Sequence, residues 1–249
     1  MRRVVLAVVV VIAIALGGFL VWARPQLLLP EATVALASTS TVTFTQGNDG
    51  RLTYTPSGTQ PTVGLVLYPG GKVPPAAYAP QAQEIAGHGY FVAIVSVPLN
   101  LAVFDIDAAN AVIDEHPEIT AWVVGGHSLG GSMAAQFVDS HPGSIRGLVL
   151  WASYSASDLS DEGIVVGSMY GTLDHGAAKF SSPENVAKLG TRTTLTPIEG
   201  GNHEQMGWYT GQPDDPPATI SRTQQQRQVV AATLDVLAAV GPAATTDVP

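Results

Sequence analysis

The sequence has no cysteine and few charged residues, and both absences narrow what the protein can be. Charged residues make up 12% of the 249 residues. The lack of cysteine excludes disulfide bonds, thiolate metal sites and a cysteine nucleophile together. Basic residues number 11 against 20 acidic ones, and no cluster of them offers a surface for nucleic acid. A nucleic-acid partner is therefore not expected.

Residues 1–24 indicate export or membrane attachment. An uncharged apolar run covers residues 4–23, and the basic Arg2 and Arg3 precede it. Twenty helical residues span about 30 Å, the thickness of the apolar layer of a bilayer. We interpret the run as an uncleaved signal-anchor that contacts the lipid bilayer, with the rest of the chain on the extracytoplasmic face. The alternative is a signal peptide cleaved after Ala23, which would make the mature chain a secreted protein.

The remaining chain has the length of one α/β domain. Residues 25–40 are interpreted as a tether, residues 41–240 as the domain and residues 241–249 as a loose tail. Period-two alternation around a turn at residues 47–50 predicts an antiparallel hairpin at the start of the domain. Helix-like stretches then alternate with strand-like runs at 63–68, 91–97, 121–124, 148–151, 164–166 and 193–198. This alternation predicts a mostly parallel sheet with helices on both faces.

A Gly-x-Ser-x-Gly motif lies where one of these strands passes into a helix. Gly126 and Gly130 flank Ser128, after the strand at 121–124 and before the small residues that begin the helix. This context is typical of a nucleophile elbow, in which a strained turn exposes the serine hydroxyl above the sheet edge. The alternatives are a structural turn and a phosphate-binding loop. Gly131 stands where such a loop needs lysine, so we expect no ATP or GTP binding.

A serine nucleophile needs a base, and the base needs an acid that orients it. Among the six histidines, His203 follows the last strand in a Gly-Gly-Asn-His sequence and is the candidate base. His127 adjoins Ser128, and its side chain is expected to point away from the nucleophile. Asp174 lies shortly after an apolar strand and is the candidate acid, with a structural turn as the alternative. The chain order of serine, aspartate and histidine is that of α/β hydrolases.

Two backbone N–H groups should also stabilise the oxyanion of the transition state. Leu129, the residue after the nucleophile, is expected to supply one of them. The other is expected from the loop after the strand at 63–68, where a Pro-Gly-Gly-Lys sequence lets the backbone approach a substrate closely. Gly71 or Lys72 is the candidate donor in that loop. A simple tight turn is the alternative interpretation of the two glycines.

Six sequence blocks occur in the order seen in one large enzyme family: Tyr68-Pro69-Gly70-Gly71, Pro98 to Phe104, Gly125 to Gly131, Trp151-Ala152-Ser153-Tyr154, Tyr170-Gly171-Thr172-x-Asp174 and Gly200-Gly201-Asn202-His203. Through them the chain resembles an α/β hydrolase over about residues 40–240, and is similar to short-cap bacterial proteins of the dienelactone-hydrolase-like esterase type. The resemblance implies the α/β-hydrolase fold with an eight-stranded sheet and a minimal cap, together with a hydrolase that uses Ser128, Asp174 and His203.

The chain departs from the relatives in two places. Dienelactone hydrolases proper use a cysteine nucleophile, which this chain lacks, so their lactone substrate does not carry over. The loop with Pro-Gly-Gly-Lys stands where many esterases have His-Gly-Gly-Gly. The identity of the second oxyanion donor therefore does not follow from the resemblance.

Apolar side chains of two loops are candidates for lining a substrate pocket. The stretch between Trp151 and the next strand is too short for a helical lid, so other loops are expected to line the site. The candidates lie in the loop at 98–104 and in the loop after the base, and are Leu99, Leu101, Phe104, Trp208 and Tyr209. Packing in the core is the alternative role of these side chains.

These features predict a serine hydrolase that acts on carboxylic esters or related acyl compounds through an acyl-enzyme, with no metal and no organic cofactor. The expected partner is a small-molecule ester. The net charge of −9 disfavours strongly anionic substrates at low salt. The alternatives are a thioesterase or acyltransferase with the same three residues, and a binding protein that keeps the fold without turnover.

Overall fold

The computed structural model describes the backbone of residues 2–241 and their side chains, except those of Val4 and Ala7. The predicted loose tail therefore lies outside the described residues, apart from Gly241. Two short strands, β1 (Leu27–Leu28) and β10 (Tyr209–Thr210), pair with each other. The other strands are β2 (Val42–Gln46), β3 (Leu52–Pro56), β4 (Val63–Tyr68), β5 (Phe91–Ile94), β6 (Ala121–His127), β7 (Gly147–Trp151), β8 (Val165–Gly171) and β9 (Thr193–Ile198).

The eight longer strands form one sheet, in the order β2-β3-β5-β4-β6-β7-β8-β9. β2 and β3 form the predicted hairpin, and β3 also pairs antiparallel with β5. The five remaining pairs, from β5 to β9, are parallel. β4 to β7 are buried along their whole length, which explains why their sequences are continuously apolar rather than alternating. The predicted fold class is confirmed.

Helices cover both faces of the sheet, because each parallel connection has to cross over it. Ile85 and Val229 enter the core on one face, and Val112 and Phe137 enter it on the other. The helices are α1 (Arg2–Trp22), α2 (Pro30–Val34), α3 (Ala79–Gly87), α4 (Ala108–Glu115), α5 (Leu129–Ser140), α6 (Ala177–Phe180), α7 (Pro183–Ala187) and α8 (Arg222–Val240). In this numbering α3 and α8 cover the first face, and α4 and α5 cover the second.

Residues 25–40, interpreted above as a tether, are largely part of the folded domain. β1 pairs with β10, and α2 buries Ala32 completely. The carbonyl of Ala35 accepts a hydrogen bond of 3.1 Å from the buried Tyr54 hydroxyl. The sequence signal for this docking is weak, because a two-residue strand and a five-residue helix show no periodicity of their own.

Helix α1 contains most of the predicted apolar run and leaves the domain beside the loop after β4. The Lys72 ammonium lies 4.7 Å from the centroid of the Trp22 ring. The Gln26 N–H donates a hydrogen bond of 2.8 Å to the Lys72 carbonyl. Among the residues that the structure describes, no helix has the length and apolarity needed to cross a membrane.

Candidate active site

The three residues predicted to act together follow three parallel strands. Ser128 comes directly after β6, Asp174 follows β8, and His203 follows β9. Parallel strands direct their carboxyl ends to the same edge of the sheet, where α/β proteins bind their ligands. All three side chains line one cavity of about 580 Å³ at this edge.

Ser128 occupies a strained turn between β6 and α5. Its backbone has φ 53° and ψ −122°, a region that residues other than glycine rarely adopt. Its N–H donates to the Trp151 carbonyl at 2.9 Å, and its own carbonyl accepts from the Ser153 hydroxyl at 2.6 Å. These bonds from the neighbouring strand hold the serine in place at the start of a helix, where free N–H groups favour negative charge.

Glycine is required at Gly126 because of how closely α5 crosses the strands. A Cβ atom there would lie 2.5 Å from the backbone carbon of Gly130 and 2.6 Å from the carbonyl oxygen of Tyr68. Both neighbours are backbone atoms, so no side-chain rotation could relieve the contact. The first glycine of the motif therefore serves helix–strand packing, which in turn fixes the serine turn.

His203 is oriented by a buried carboxylate. Its Nδ1 lies 2.6 Å from Oδ2 of Asp174, whose side chain is only 3% exposed. The other carboxylate oxygen of Asp174 accepts the Gly176 N–H at 2.7 Å. When the Nδ1–H group donates a hydrogen bond to the Asp174 carboxylate, Nε2 is the unprotonated, basic nitrogen of the ring. The arrangement can therefore accept a proton from a nucleophile at the cavity.

Ser128 and His203 line the same two cavities, one of about 580 Å³ and one of about 230 Å³. Among residues 2–241, no hydrogen bond joins the Ser128 hydroxyl to His203. General-base catalysis requires the two groups to come within hydrogen-bond reach, and such contacts often tighten only when substrate binds.

Asp215 holds the backbone at His203, a role that the sequence does not predict. Its two carboxylate oxygens accept the N–H groups of His203 at 3.2 Å and of Glu204 at 2.7 Å. Burial raises the pKa of this carboxyl, and the two backbone hydrogen bonds oppose the shift. Asp215 lies 12 residues after His203 in the chain, and no local motif links the two.

The loop after β4 leaves one backbone donor free. The Gly70 N–H donates to the Tyr78 hydroxyl at 2.9 Å, and the Lys72 N–H donates to the Asn100 carbonyl at 2.7 Å. Among the described residues, the Gly71 N–H has no acceptor. Gly71 also faces the start of α5, since a Cβ on it would lie 3.4 Å from Cδ2 of Leu129. Of the two candidates in this loop, the geometry thus favours Gly71 over Lys72.

His127 lies against His203, a contact that the sequence does not predict. Its side chain was expected to point away from the nucleophile, yet its ring centroid lies 4.6 Å from that of His203. Its Nδ1 lies 2.8 Å from the Tyr78 hydroxyl. Burial lowers the pKa of His127 well below the usual value for histidine, and the nearby His203 lowers it further. The only feature of the sequence that points to this placement is that His127 directly precedes Ser128.

The predicted loop after the base lines the cavity through Gln212, Pro213 and Asp215, whereas the predicted loop at 98–104 does not. The other walls of the cavity come from the start of α5, the stretch after β7 and the region of α6, and include Ser132, Met133, Ala152, Tyr154, Lys179 and Phe180. Leu99, Leu101, Phe104, Trp208 and Tyr209 line neither of the two cavities at Ser128. Leu101 packs beside Gly71, Tyr209 is buried in the pairing with β1, and Leu99 and Phe104 are exposed. The stretch after β7 is too short to form a helical lid, but it is long enough to form one side of the cavity.

The sheet and the serine turn define an α/β protein with a strained strand–turn–helix at the carboxyl edge of its parallel strands. Residues 64–227 match the Alpha/beta hydrolase family. This match spans more than half of the chain, and the protein belongs to that family. The comparison with curated proteins yields no match.

Solved structures of esterase 2 from Thermogutta terrifontis share the fold. The apo form has a TM-score of 0.55 at 18% sequence identity, covering 82% of this chain and 98% of that one. The form phosphonylated by sarin has a TM-score of 0.55 at 16% identity, covering 82% and 96%. The butyrate-bound form has a TM-score of 0.53 at 17% identity, covering 79% and 93%.

Replacing Gly126 should unfold the elbow. We expect Gly126→Ala to lower the free energy of unfolding by about 3 kcal/mol or more, because the added methyl meets backbone on both sides. Gly87→Ala is the control, since Gly87 has no atom near its would-be Cβ and lies at the end of α3. It should be neutral or stabilise by up to about 1 kcal/mol. Denaturant unfolding measures both, and equal effects of the two substitutions would contradict the packing argument.

The buried His127 should make stability depend on pH. Below about pH 6.5 the unfolded chain protonates this residue, whereas the folded chain, whose His127 pKa is lowered by burial, does not. The unfolded state then binds more protons, so stability falls as the pH falls, by a slope approaching about 1.4 kcal/mol per pH unit. His127→Asn lacks this term, so its deficit relative to the wild type should shrink between pH 7.5 and 5.5. Parallel pH curves of the two proteins would show that His127 is not buried in its neutral form.

Proposed function

We propose that the protein is a serine hydrolase that cleaves carboxylic esters. The observation that carries the proposal is the placement of Ser128, in a positive-φ turn at the start of α5, in one cavity with a histidine that a buried aspartate holds at 2.6 Å. A structural turn needs neither the strain nor the oriented base. Strain of this kind persists where function requires it.

In the proposed reaction, the Ser128 oxygen attacks the acyl carbon of the ester and its proton passes to Nε2 of His203. The negative charge that develops on the acyl oxygen is stabilised by the N–H groups of Leu129 and Gly71. Asp174 remains ionised and stabilises the imidazolium through Nδ1. When the tetrahedral intermediate collapses, the leaving alkoxide takes the proton from His203 and departs as the alcohol.

The second half of the reaction repeats these steps with water. Water attacks the acyl carbon of the Ser128 ester and gives its proton to Nε2 of His203. The same two N–H groups stabilise the second oxyanion. Collapse of this intermediate returns the proton to the Ser128 oxygen and releases the carboxylic acid. Every proton is thus moved by His203, and the enzyme returns to its starting form.

The lining of the cavity suits a substrate with an apolar acyl or alkyl group of modest size. Met133, Ala152 and Phe180 supply apolar surface, and the Lys179 ammonium lies 3.4 Å from the centroid of the Tyr154 ring. Among solved structures of the same fold, one esterase holds butyrate and is phosphonylated by sarin in another form. Short-chain esters and organophosphonates are therefore the first substrates and probes to use. A thioester differs only in its leaving group and belongs in the same substrate series.

We also propose that residues 4–23 attach the protein to a bilayer, with the domain on the extracytoplasmic face. Most of the described large apolar side chains of α1 are exposed, among them Ile14 at 70% and Leu20 at 49%. A helix that is apolar on every side needs an apolar surrounding. Arg2 and Arg3 at its start favour the cytoplasmic side for the amino terminus.

Ser128→Ala should abolish both labelling and turnover. We expect the wild type to react with a fluorophosphonate and to hydrolyse p-nitrophenyl butyrate, because His203 activates the Ser128 hydroxyl. The variant should do neither above background. Asp174→Asn should keep the fold but lower kcat by about 10⁴-fold, since the imidazole loses its orienting carboxylate. Ser132→Ala, a change of a second serine in the same cavity, is the control that should still be labelled. Labelling that persists in Ser128→Ala would place the nucleophile elsewhere.

The attachment of residues 4–23 is tested with the full chain expressed in a bacterial host. We expect the protein to pellet with membranes, to resist extraction by alkaline carbonate and to be digested by protease added outside spheroplasts. A mature amino terminus just after Ala23, found by mass spectrometry, would favour the secreted form instead. Full-length protein released by carbonate would refute the anchor.

A further inference from the structure

Two hydrogen bonds and one ring contact connect the loop after β4 to the base. The Gly70 N–H lies 2.9 Å from the Tyr78 hydroxyl oxygen, and that oxygen lies 2.8 Å from Nδ1 of His127. The ring of His127 in turn packs against the ring of His203. Tyr78 has no exposed surface and His127 is 1% exposed, so water does not compete for these bonds.

The direction of the hydrogen bonds follows from chemistry. A backbone N–H can only donate, so the Tyr78 oxygen accepts from Gly70. Burial raises the pKa of Tyr78, which keeps its own proton in place. Donation of that proton to Nδ1 of His127 pairs both groups and leaves the proton of the neutral ring on Nε2. The Gly70 amide favours this arrangement, because its N–H already occupies one acceptor site of the Tyr78 oxygen.

The contact between Gly70 and His127 is also tight. A Cβ on Gly70 would lie 2.6 Å from Nδ1 of His127 and 3.0 Å from the Tyr78 hydroxyl. The loop backbone thus rests directly on the histidine ring. Gly70 precedes Gly71, whose free N–H is the second oxyanion donor of the proposed function, so any movement of Gly70 moves that donor.

We propose that Tyr78 and His127 are positioning residues that hold the Gly71 N–H in place for the oxyanion and hold the His203 ring against the serine. The proposal rests on the proposed function and deepens it. Neither residue is placed to touch the reacting atoms, because the Tyr78 hydroxyl bonds to the Gly70 N–H and to His127, and His127 reaches the base through ring packing. Their contribution should thus appear in kcat, where the transition state is stabilised, rather than in KM.

The first test removes only the Tyr78 hydroxyl. We expect Tyr78→Phe to lower kcat for p-nitrophenyl butyrate roughly ten- to a hundredfold, with KM within about twofold, because a donor displaced by a fraction of an ångström stabilises the oxyanion poorly. Tyr54→Phe is the matched control. Tyr54 is also fully buried and its hydroxyl also bonds to backbone, at the Ala35 carbonyl, but it lies in β3 away from the site. Its loss should leave kcat unchanged while costing similar stability.

The second test replaces His127 in two ways. Asparagine keeps an acceptor close to the position of Nδ1, whereas leucine fills the space without one. We expect His127→Asn to retain a larger part of kcat than His127→Leu at equal unfolding midpoints. A purely structural role would make activity follow stability in both variants.

The outcomes separate this proposal from the proposed function. Wild-type protein that neither hydrolyses the ester nor reacts with a fluorophosphonate would overturn both. Active wild type together with Tyr78→Phe of unchanged kcat would overturn only the positioning role. The same holds if Tyr54→Phe lowers kcat as much as Tyr78→Phe, or if asparagine and leucine at position 127 are equally damaging.

Discussion

The close approach of α5 to β6 and to the end of β4 is the constraint on which the rest of the site depends. Gly126 faces backbone atoms of Gly130 and Tyr68, so α5 can start this close to the end of β6 only because Gly126 has no side chain. This contact bends the chain sharply at Ser128 and directs the first N–H groups of the helix toward the cavity. It also brings Leu129 beside Gly71, which pairs the two proposed oxyanion donors. One steric contact therefore positions both the proposed nucleophile and the proposed oxyanion donors.

Backbone strain is concentrated around the same edge of the sheet. Ser128 is one of the non-glycine residues with positive φ in the described part of the chain, and most of the others lie in segments that touch the site. They are Lys72 in the loop after β4, Leu99 and Asn100 in the loop that bonds to it, Ala152 in the cavity wall and Asp214 next to Asp215. Each such residue costs of order 1–3 kcal/mol, which the packed sheet beneath must offset.

Prediction from the sequence was accurate where the signal is local. The hairpin around residues 47–50 is predicted by its turn residues. The buried strands are recognisable as unbroken apolar runs, because both faces of the sheet are covered. It was inaccurate where apolar residues could serve two purposes. Leu101 and Tyr209 were predicted to line the pocket, but both are buried away from it. The loop after the base does line the cavity, through Gln212, Pro213 and Asp215, together with α5, the stretch after β7 and α6. The hydrophobicity of a side chain indicates that it will be buried, but it does not indicate whether the core or a ligand pocket will bury it.

The sequence by itself determined the order of the elements, the turn at Ser128 and the candidate roles of Asp174 and His203, because these depend on the sterics of short segments and on the order of residues along the chain. Only the tertiary structure decided which N–H groups remain free, and that His127 lies against His203. Those features depend on contacts between distant segments, such as Gly70 with Tyr78 and Lys72 with Asn100. Folding brings their hydrogen-bond partners together in space, and no spacing along the chain records them.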